Sequence, residues 1–85
     1  MSSLTAYLDT RNAFASLFGH RQLSLQNSAD RQALADMIDS ALSPENLSCD
    51  GELSRAEVNR RYQELMAVAN QLKKLDPSVK FYECF

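Results

Sequence analysis

The sequence has few of the residues that make turns, with two glycines and two prolines among 85 residues. A many-stranded sheet needs frequent turns, which these residues commonly supply, so their scarcity favours helices. The apolar fraction of 45% and the charged fraction of 24% are those of an ordinary globular protein, and we do not expect disorder. The length predicts a single domain over residues 1–85.

Residues that commonly carry catalysis are equally scarce. His20 is the only histidine, which excludes a metal cluster built from several histidines. A serine or cysteine nucleophile that needs a histidine base would have to use this one residue. There is no glycine-rich phosphate loop. Cys49 and Cys84 have no partners at metal-ligand spacing; two free thiols are the plain expectation, with one disulfide as the alternative. The sequence therefore predicts a non-enzymatic protein without a cofactor.

Long apolar runs and targeting signals are also missing from the sequence. No run approaches the roughly 20 residues needed to cross a bilayer, so we expect no membrane partner. The first residues do not show a basic segment followed by an apolar one, so we expect no secretory signal. These features predict a cytoplasmic protein, and its small size and mild acidity would suit a bacterial accessory protein.

Apolar residues at three- and four-residue steps predict two helices in the first half of the chain. The first covers 3–18 and ends at Gly19. Its apolar face is made of Leu4, Tyr7, Leu8, Phe14, Ala15 and Phe18. Arg11 projects from that face. Its aliphatic stem lies along the edge of the core with the guanidinium in water, or alternatively the guanidinium pairs with a buried group or a binding partner. The second helix covers 28–42, with Leu34, Met37, Ile38, Ala41 and Leu42 inside and Asp36 and Asp39 outside.

The longest predicted helix covers 54–76. Ser54 and Glu57 form a capping box at its start. Its apolar arc spans about half the circumference, which is wide for a two-stranded coiled coil and indicates a helix packed against two neighbours. Glu57 with Arg61, and Arg60 with Glu64, are spaced to form ion pairs. The fold class is therefore mainly α, a compact three-helix domain.

Two short segments have the alternating pattern of strands, residues 22–26 and 79–84. If they pair, the fold becomes α+β. The second segment belongs to an aromatic tail, which we expect to dock on its own domain. The alternative is that the tail binds another molecule.

The loop before the long helix resembles the calcium loop of EF-hand proteins. Aligned on Gly51, oxygen-bearing residues stand at the first, third and fifth places, and glutamate stands at the twelfth. The resemblance implies a weak calcium site with candidate ligands Asn46, Ser48, Asp50, Glu52 and Glu57. Asn46 stands where aspartate is usual, and Pro44 interrupts the entering helix. A turn followed by the capping box explains the same residues without a metal.

Arg55, Arg60 and Arg61 cluster at the start of the long helix and offer phosphate contacts, so a nucleic-acid-binding regulator is one alternative function. The formal net charge of −2 provides no general attraction to nucleic acid. Glu57 and Glu64 also interleave with these arginines, which is more typical of a solvated, salt-bridged face.

A protein–protein interaction module fits the residues best. Aromatic anchors with a charged rim are typical of interfaces. The candidate partner-binding residues are the aromatics Tyr62, Phe81, Tyr82 and Phe85 and the acidic Glu45, Asp50 and Glu52. The partner is another protein or, alternatively, a second copy in a homodimer. A core role for the aromatics is the competing interpretation.

Overall fold

A computed structural model describes residues 3–82 of the protein. This part of the chain forms four helices. They are α1 (Ser3–Leu17), α2 (Ser28–Leu42), α3 (Pro44–Leu47) and α4 (Arg55–Leu75). The three predicted helices are confirmed to within one residue at each end. The one-turn helix α3 is an addition to the prediction, in a segment that the sequence marked as loop.

Local signals explain where these helices begin and end. The Asn27 side chain accepts a hydrogen bond from the Ala29 amide at 2.9 Å and caps α2. Ser54 caps α4, its hydroxyl accepting from the Glu57 amide at 3.3 Å and donating to the Glu57 carboxylate at 3.0 Å. Gly19 follows α1 with φ of +73°, a conformation that side chains with a Cβ rarely adopt.

Helix α4 lies at the centre, with α1 and α2 both packed against it and α3 near its start. The predicted packing of the long helix against two neighbours is confirmed. The buried core is contributed by all three long helices and the tail: Leu4, Leu8, Leu34, Ala35, Ile38, Leu42, Val68, Ala69, Leu72, Val79 and Phe81.

The proposed two-stranded element is wrong for residues 3–82, which contain no strand. Amide side chains on helices take the place of the expected strand partner. The Asn12 side chain accepts from the Leu23 N–H at 2.8 Å and donates to the Leu23 carbonyl at 2.9 Å. The Gln32 side chain does the same at Lys80, with distances of 3.0 and 3.1 Å. Leu23 and Lys80 therefore bond to helix side chains rather than to each other's segment.

Charged residues depart from the prediction at three places. Asp39, expected on the outer face of α2, is buried and accepts a 2.8 Å hydrogen bond from the Tyr82 amide. Within residues 3–82, neither of the predicted pairs on α4 forms; the ion pairs present are Arg21 with Asp30 and Arg31 with Asp76. The Glu57 carboxylate is directed to Ser54 instead.

Candidate functional site

The C-terminal end of α1 exposes its apolar face. Phe14 is 54% exposed, Leu17 78% and Phe18 73%, and Met37 of α2 lines the same depression as the two phenylalanines. These four residues are called the α1-end patch below. Residues three and four apart lie on one side of a helix, so Phe14, Leu17 and Phe18 form a continuous surface. Single exposed apolar residues are ordinary, whereas a group of this size marks a candidate interface.

The α1-end patch is open because α4 covers only the first part of α1. Leu4 and Leu8 are buried against the core, while Phe14 and Phe18, on the predicted continuation of the same face, are exposed. The segment after Gly19 supplies Leu23 and Leu25 to the core edge, and these are too few to cover the end of the helix. The expectation that Phe14 and Phe18 belong to the core face is therefore wrong.

A depression of about 290 Å³ lies beside the patch. Phe14, Phe18 and Met37 are among its apolar lining residues, and Arg11, His20 and Arg21 are among the others. Within residues 3–82, no acidic side chain lines this depression. Arg11 supplies the unpaired positive charge of this lining, because Arg21 is bound to the Asp30 carboxylate.

Arg21 is held in place by a buried carboxylate. Its guanidinium donates to both oxygens of Asp30, one of them at 3.0 Å, and Asp30 also accepts from the Ser24 amide at 3.0 Å. The hydrogen bond from Arg21 lowers the pKa of Asp30, against the opposing effect of burial, and the Ser24 amide lowers it further. This pair fixes the loop that forms one edge of the depression.

A second, larger groove of about 730 Å³ lies between α1 and α4. Tyr7, Leu65 and Val68 are among its apolar lining, while Arg11 and Arg61 enter it from the two helices. Arg11 lines both the groove and the depression, so it stands between them. Among the described side chains that line the groove, Glu64 is the one that carries a carboxylate.

The predicted acidic residues are exposed, but they do not lie on the same elements as the aromatic residues. The acidic residues lie on α3 and in the turn after it, whereas Tyr62 lies on α4 and Phe81 and Tyr82 lie in the tail. Glu45, on α3, and Asp50 and Glu52, in the following turn, are all exposed. Asp50 has φ of +57° and donates its amide to the Glu45 carbonyl at 3.0 Å. Tyr62 is 42% exposed on α4, so it keeps a surface for contact.

The aromatic tail divides between core and surface. Phe81 is 6% exposed and belongs to the core, so it is not an exposed anchor for a partner. Tyr82 is 78% exposed, and Phe85 lies outside the described residues. Gln32 and Asp39 hold the tail backbone on α2. Docking of residues 79–82 on their own domain, the preferred expectation, is confirmed.

The candidate calcium ligands make other contacts. The Asn46 amide donates to the Ser40 carbonyl at 2.6 Å, and the Ser48 hydroxyl donates to the Pro44 carbonyl at 2.8 Å. Glu57 accepts from Ser54, while Asp50 and Glu52 are exposed. The described part of the chain has no group of three His, Cys, Asp or Glu side chains arranged for a metal. The turn and the capping box of the competing interpretation are both present.

The arginines proposed for nucleic acid do not form one surface cluster. Arg55 and Arg60 are exposed, whereas Arg61 is half-buried in the α1–α4 groove and donates to the Asn46 carbonyl at 3.3 Å. The free-thiol expectation holds for Cys49; Cys84 lies outside the described residues.

The α1-end patch and the Arg11–Arg61 groove were not predicted as sites. One signal for the patch was available in the sequence. The chain between α1 and α2 offers only two large apolar residues, Leu23 and Leu25, against the three at the end of α1. Arg11 was singled out for its position on an apolar face, but the sequence could not pair it with Arg61.

Comparison with known proteins adds no family to this geometry: no protein-family model, curated protein or solved structure matches the chain. Among the helices of residues 3–82, none has both the length and the apolar character required to cross a membrane.

Proposed function

We propose that this protein is a non-enzymatic, cytoplasmic interaction module whose α1-end patch binds an acidic amphipathic helix of another protein. The observation that carries the proposal is the exposure of Phe14, Leu17 and Phe18 side by side at the end of α1. Aromatic residues that lie together in a shallow depression are the usual anchors of a helix-binding surface.

The energetic argument rests on the two phenylalanines. Full burial of one such side chain contributes about 1.5–3 kcal/mol relative to leaving it exposed. Phe14 and Phe18 are more than half exposed, so most of that contribution is still available to a partner. Leu17 and Met37 extend the same surface. A partner that covers all four side chains therefore gains the most apolar burial, and the cost of association is subtracted from that gain.

The rim decides the charge of the partner. Arg11 and Arg21 line the depression, and the charge of Arg21 is already balanced by Asp30, so Arg11 supplies the positive charge that a partner meets; acidic side chains are missing from the lining within residues 3–82. A helix with leucines on one face and glutamates beside them complements this arrangement. A second copy binding patch to patch would bring the arginines of both copies to the same interface, and like charges disfavour that arrangement.

A synthetic peptide tests this proposal. The probe is a helical peptide with leucines at positions i, i+3, i+4 and i+7 and glutamates on the flanks; its twin replaces glutamate by lysine. Binding is followed through the amide chemical shifts of the full chain. We expect the acidic peptide to shift amides at the end of α1 and around Met37, and to bind about tenfold more tightly than its twin.

Substitutions locate the binding surface. Phe14→Ser with Phe18→Ser should weaken the acidic peptide at least about tenfold and leave the fold intact, because both side chains are exposed. Leu75→Ser is the matched control, an apolar residue 53% exposed at the end of α4. Equal binding of both peptides, or full affinity in the double variant, would contradict the proposal.

Two further outcomes assign the patch to another partner and overturn the proposal. One is a wild-type dimer, measured by sedimentation at tens of micromolar, that the double variant abolishes. The other is a single-stranded oligonucleotide that shifts the same amides and dissociates as salt is raised.

A further inference from the structure

Within the described residues, the groove between α1 and α4 contains two arginines without a carboxylate partner. In the part of the chain that the structure describes, the carboxylates within ion-pair distance of arginine belong to Asp30 and Asp76, bound by Arg21 and Arg31. Arg11 and Arg61 have no such contact with any residue of 3–82, although both are half-buried. No ion pair within those residues therefore neutralises either guanidinium, and Glu64 is the acidic side chain among them that shares the groove.

Arg61 is the less satisfied of the two. Its Nε is buried and, among residues 3–82, has no hydrogen-bond partner. Its remaining contact is a long one, 3.3 Å from Nη2 to the Asn46 carbonyl. A buried donor without an acceptor is costly, most of all on a charged group. An anion with two oxygens could satisfy Nε and a terminal nitrogen together, once the loosely held head turns toward it.

Arg11 is positioned from the opposite side of the groove. Its Nε and Nη2 donate to the Tyr7 hydroxyl at 3.1 and 3.0 Å, and its guanidinium carbon lies 5.1 Å from the centre of the Tyr7 ring. These contacts orient the guanidinium without neutralising it. The remaining N–H groups of Arg11 are available to a second oxygen atom or a second anion edge.

We propose that the α1–α4 groove binds an oxyanion, a carboxylate or a phosphate, between Arg11 and Arg61. The groove volume of about 730 Å³ leaves room for an organic body, which Tyr7, Leu65 and Val68 would contact. Glu64 lines the same groove and weakens the binding of an anion by repulsion. This site is independent of the α1-end patch, although Arg11 borders both.

The test uses inorganic phosphate and benzoate, titrated separately into the full chain at constant ionic strength. The side-chain Nε–H signals of the arginines and the backbone amides are recorded. Phosphate represents phosphorylated ligands, and benzoate represents carboxylates with an apolar body. We expect the Nε–H signal of Arg61 and amides near Tyr7 and Leu65 to shift in a saturable way with at least one ion, which also identifies the preferred oxyanion.

Variants separate a built site from general attraction. Arg61→Gln should weaken the preferred ion about tenfold, and Arg61→Lys, which keeps the charge but loses the fork, about threefold. Arg55→Gln is the matched control, since Arg55 is an exposed cation on the same helix outside the groove. Glu64→Gln should tighten binding about twofold or more.

The proposal is overturned if neither ion gives saturable shifts at high millimolar concentration. Equal weakening by Arg55→Gln and Arg61→Gln would also overturn it, because it would show nonspecific attraction. If Arg61→Gln does not fold, Arg11→Gln is measured in its place with the same expectation. The Phe14→Ser, Phe18→Ser variant should bind the ion normally, which separates this site from the proposed protein interface.

Discussion

Replacement of Asn12 tests whether a single amide side chain holds the segment after α1 in place. Asn12 accepts from the Leu23 N–H at 2.8 Å and donates to the Leu23 carbonyl at 2.9 Å. Asn12→Ala removes both bonds. A neutral hydrogen bond contributes about 0.5–1.5 kcal/mol net, so the loss is about 1–3 kcal/mol. That is a large share of the roughly 4–13 kcal/mol expected for a domain of this size.

The change in helix propensity opposes the loss of stability expected for Asn12→Ala, so it needs its own control. Alanine is a better helix former than asparagine by about 0.6 kcal/mol, which reduces the observed loss at Asn12. Asn70→Ala supplies the correction, because Asn70 is exposed and lies inside α4. The difference between the two variants isolates the contacts with Leu23.

Urea unfolding followed by helical circular dichroism measures the free energy of unfolding, and hydrogen exchange of the Leu23 amide reports the local contact. We expect Asn12→Ala to lose 1–3 kcal/mol relative to Asn70→Ala, with faster exchange at Leu23. A corrected loss below about 0.5 kcal/mol, or unchanged exchange at Leu23, would refute the assigned role of Asn12.

Asn12→Asp gives a second arm to the test. An ionised carboxylate still accepts from the Leu23 N–H but cannot donate to the Leu23 carbonyl, and it places negative charge against that oxygen. At neutral pH the variant therefore keeps one of the two bonds with Leu23, and we expect it to be less stable than the wild type.

Three further predictions concern acid stability, the tail and a helix cap. Hydrogen bonds from Ser78 and Arg31 hold the pKa of Asp76 at about 2, and Arg21 lowers that of Asp30. Because both pKa values are depressed on folding, their stabilisation is present above about pH 4 and is lost toward pH 2; Asp30→Asn should flatten that decline in urea unfolding. Phe81→Ala should cost about 3–5 kcal/mol and Tyr82→Ala under about 0.5 kcal/mol by the same assay, since the first side chain is buried and the second exposed. Ser54→Ala should cost about 1 kcal/mol; an unchanged midpoint would contradict its capping role.

The long helices could be predicted because their signals are local. Asn27, Ser54 and Gly19 each stand at a helix boundary and act on backbone groups within a few residues of themselves. The apolar arc of α4 is likewise a property of one segment. A sequence read in short windows contains these features in full, and the structure agrees with them.

The tail shows how much a local sequence pattern can predict and what it cannot. Its alternation was informative, because Val79 and Phe81 are buried while Lys80 and Tyr82 are exposed. The inference from alternation to strand pairing was wrong. The partner groups are the side chains of Gln32 and, at Tyr82, Asp39 of α2, far away in sequence. An extended backbone needs donors and acceptors beside it, and alternation does not specify whether a strand or a helix supplies them.

The candidate sites were harder to predict because they depend on what the fold leaves uncovered. Periodicity placed Phe14 and Phe18 on the same face as Leu4 and Leu8, but could not show that α4 covers only the first part of that face. The groove likewise requires Arg11 and Arg61, which come from different helices. Predicting either site needs the relative positions of α1 and α4, which are a product of global packing.

The exposure of the α1-end patch separates its contribution to folding from its contribution to binding. Phe14 and Phe18 remain largely in contact with solvent, so their replacement by serine should change the free energy of unfolding by less than about 1 kcal/mol. Exposed aromatic side chains favour self-association, and because they are exposed they add little to the stability of the fold in return. A double variant that folds as well as the wild type but loses the acidic peptide would show that the patch serves recognition. A double variant that unfolds would return these residues to the core, and the proposed function would fail with them.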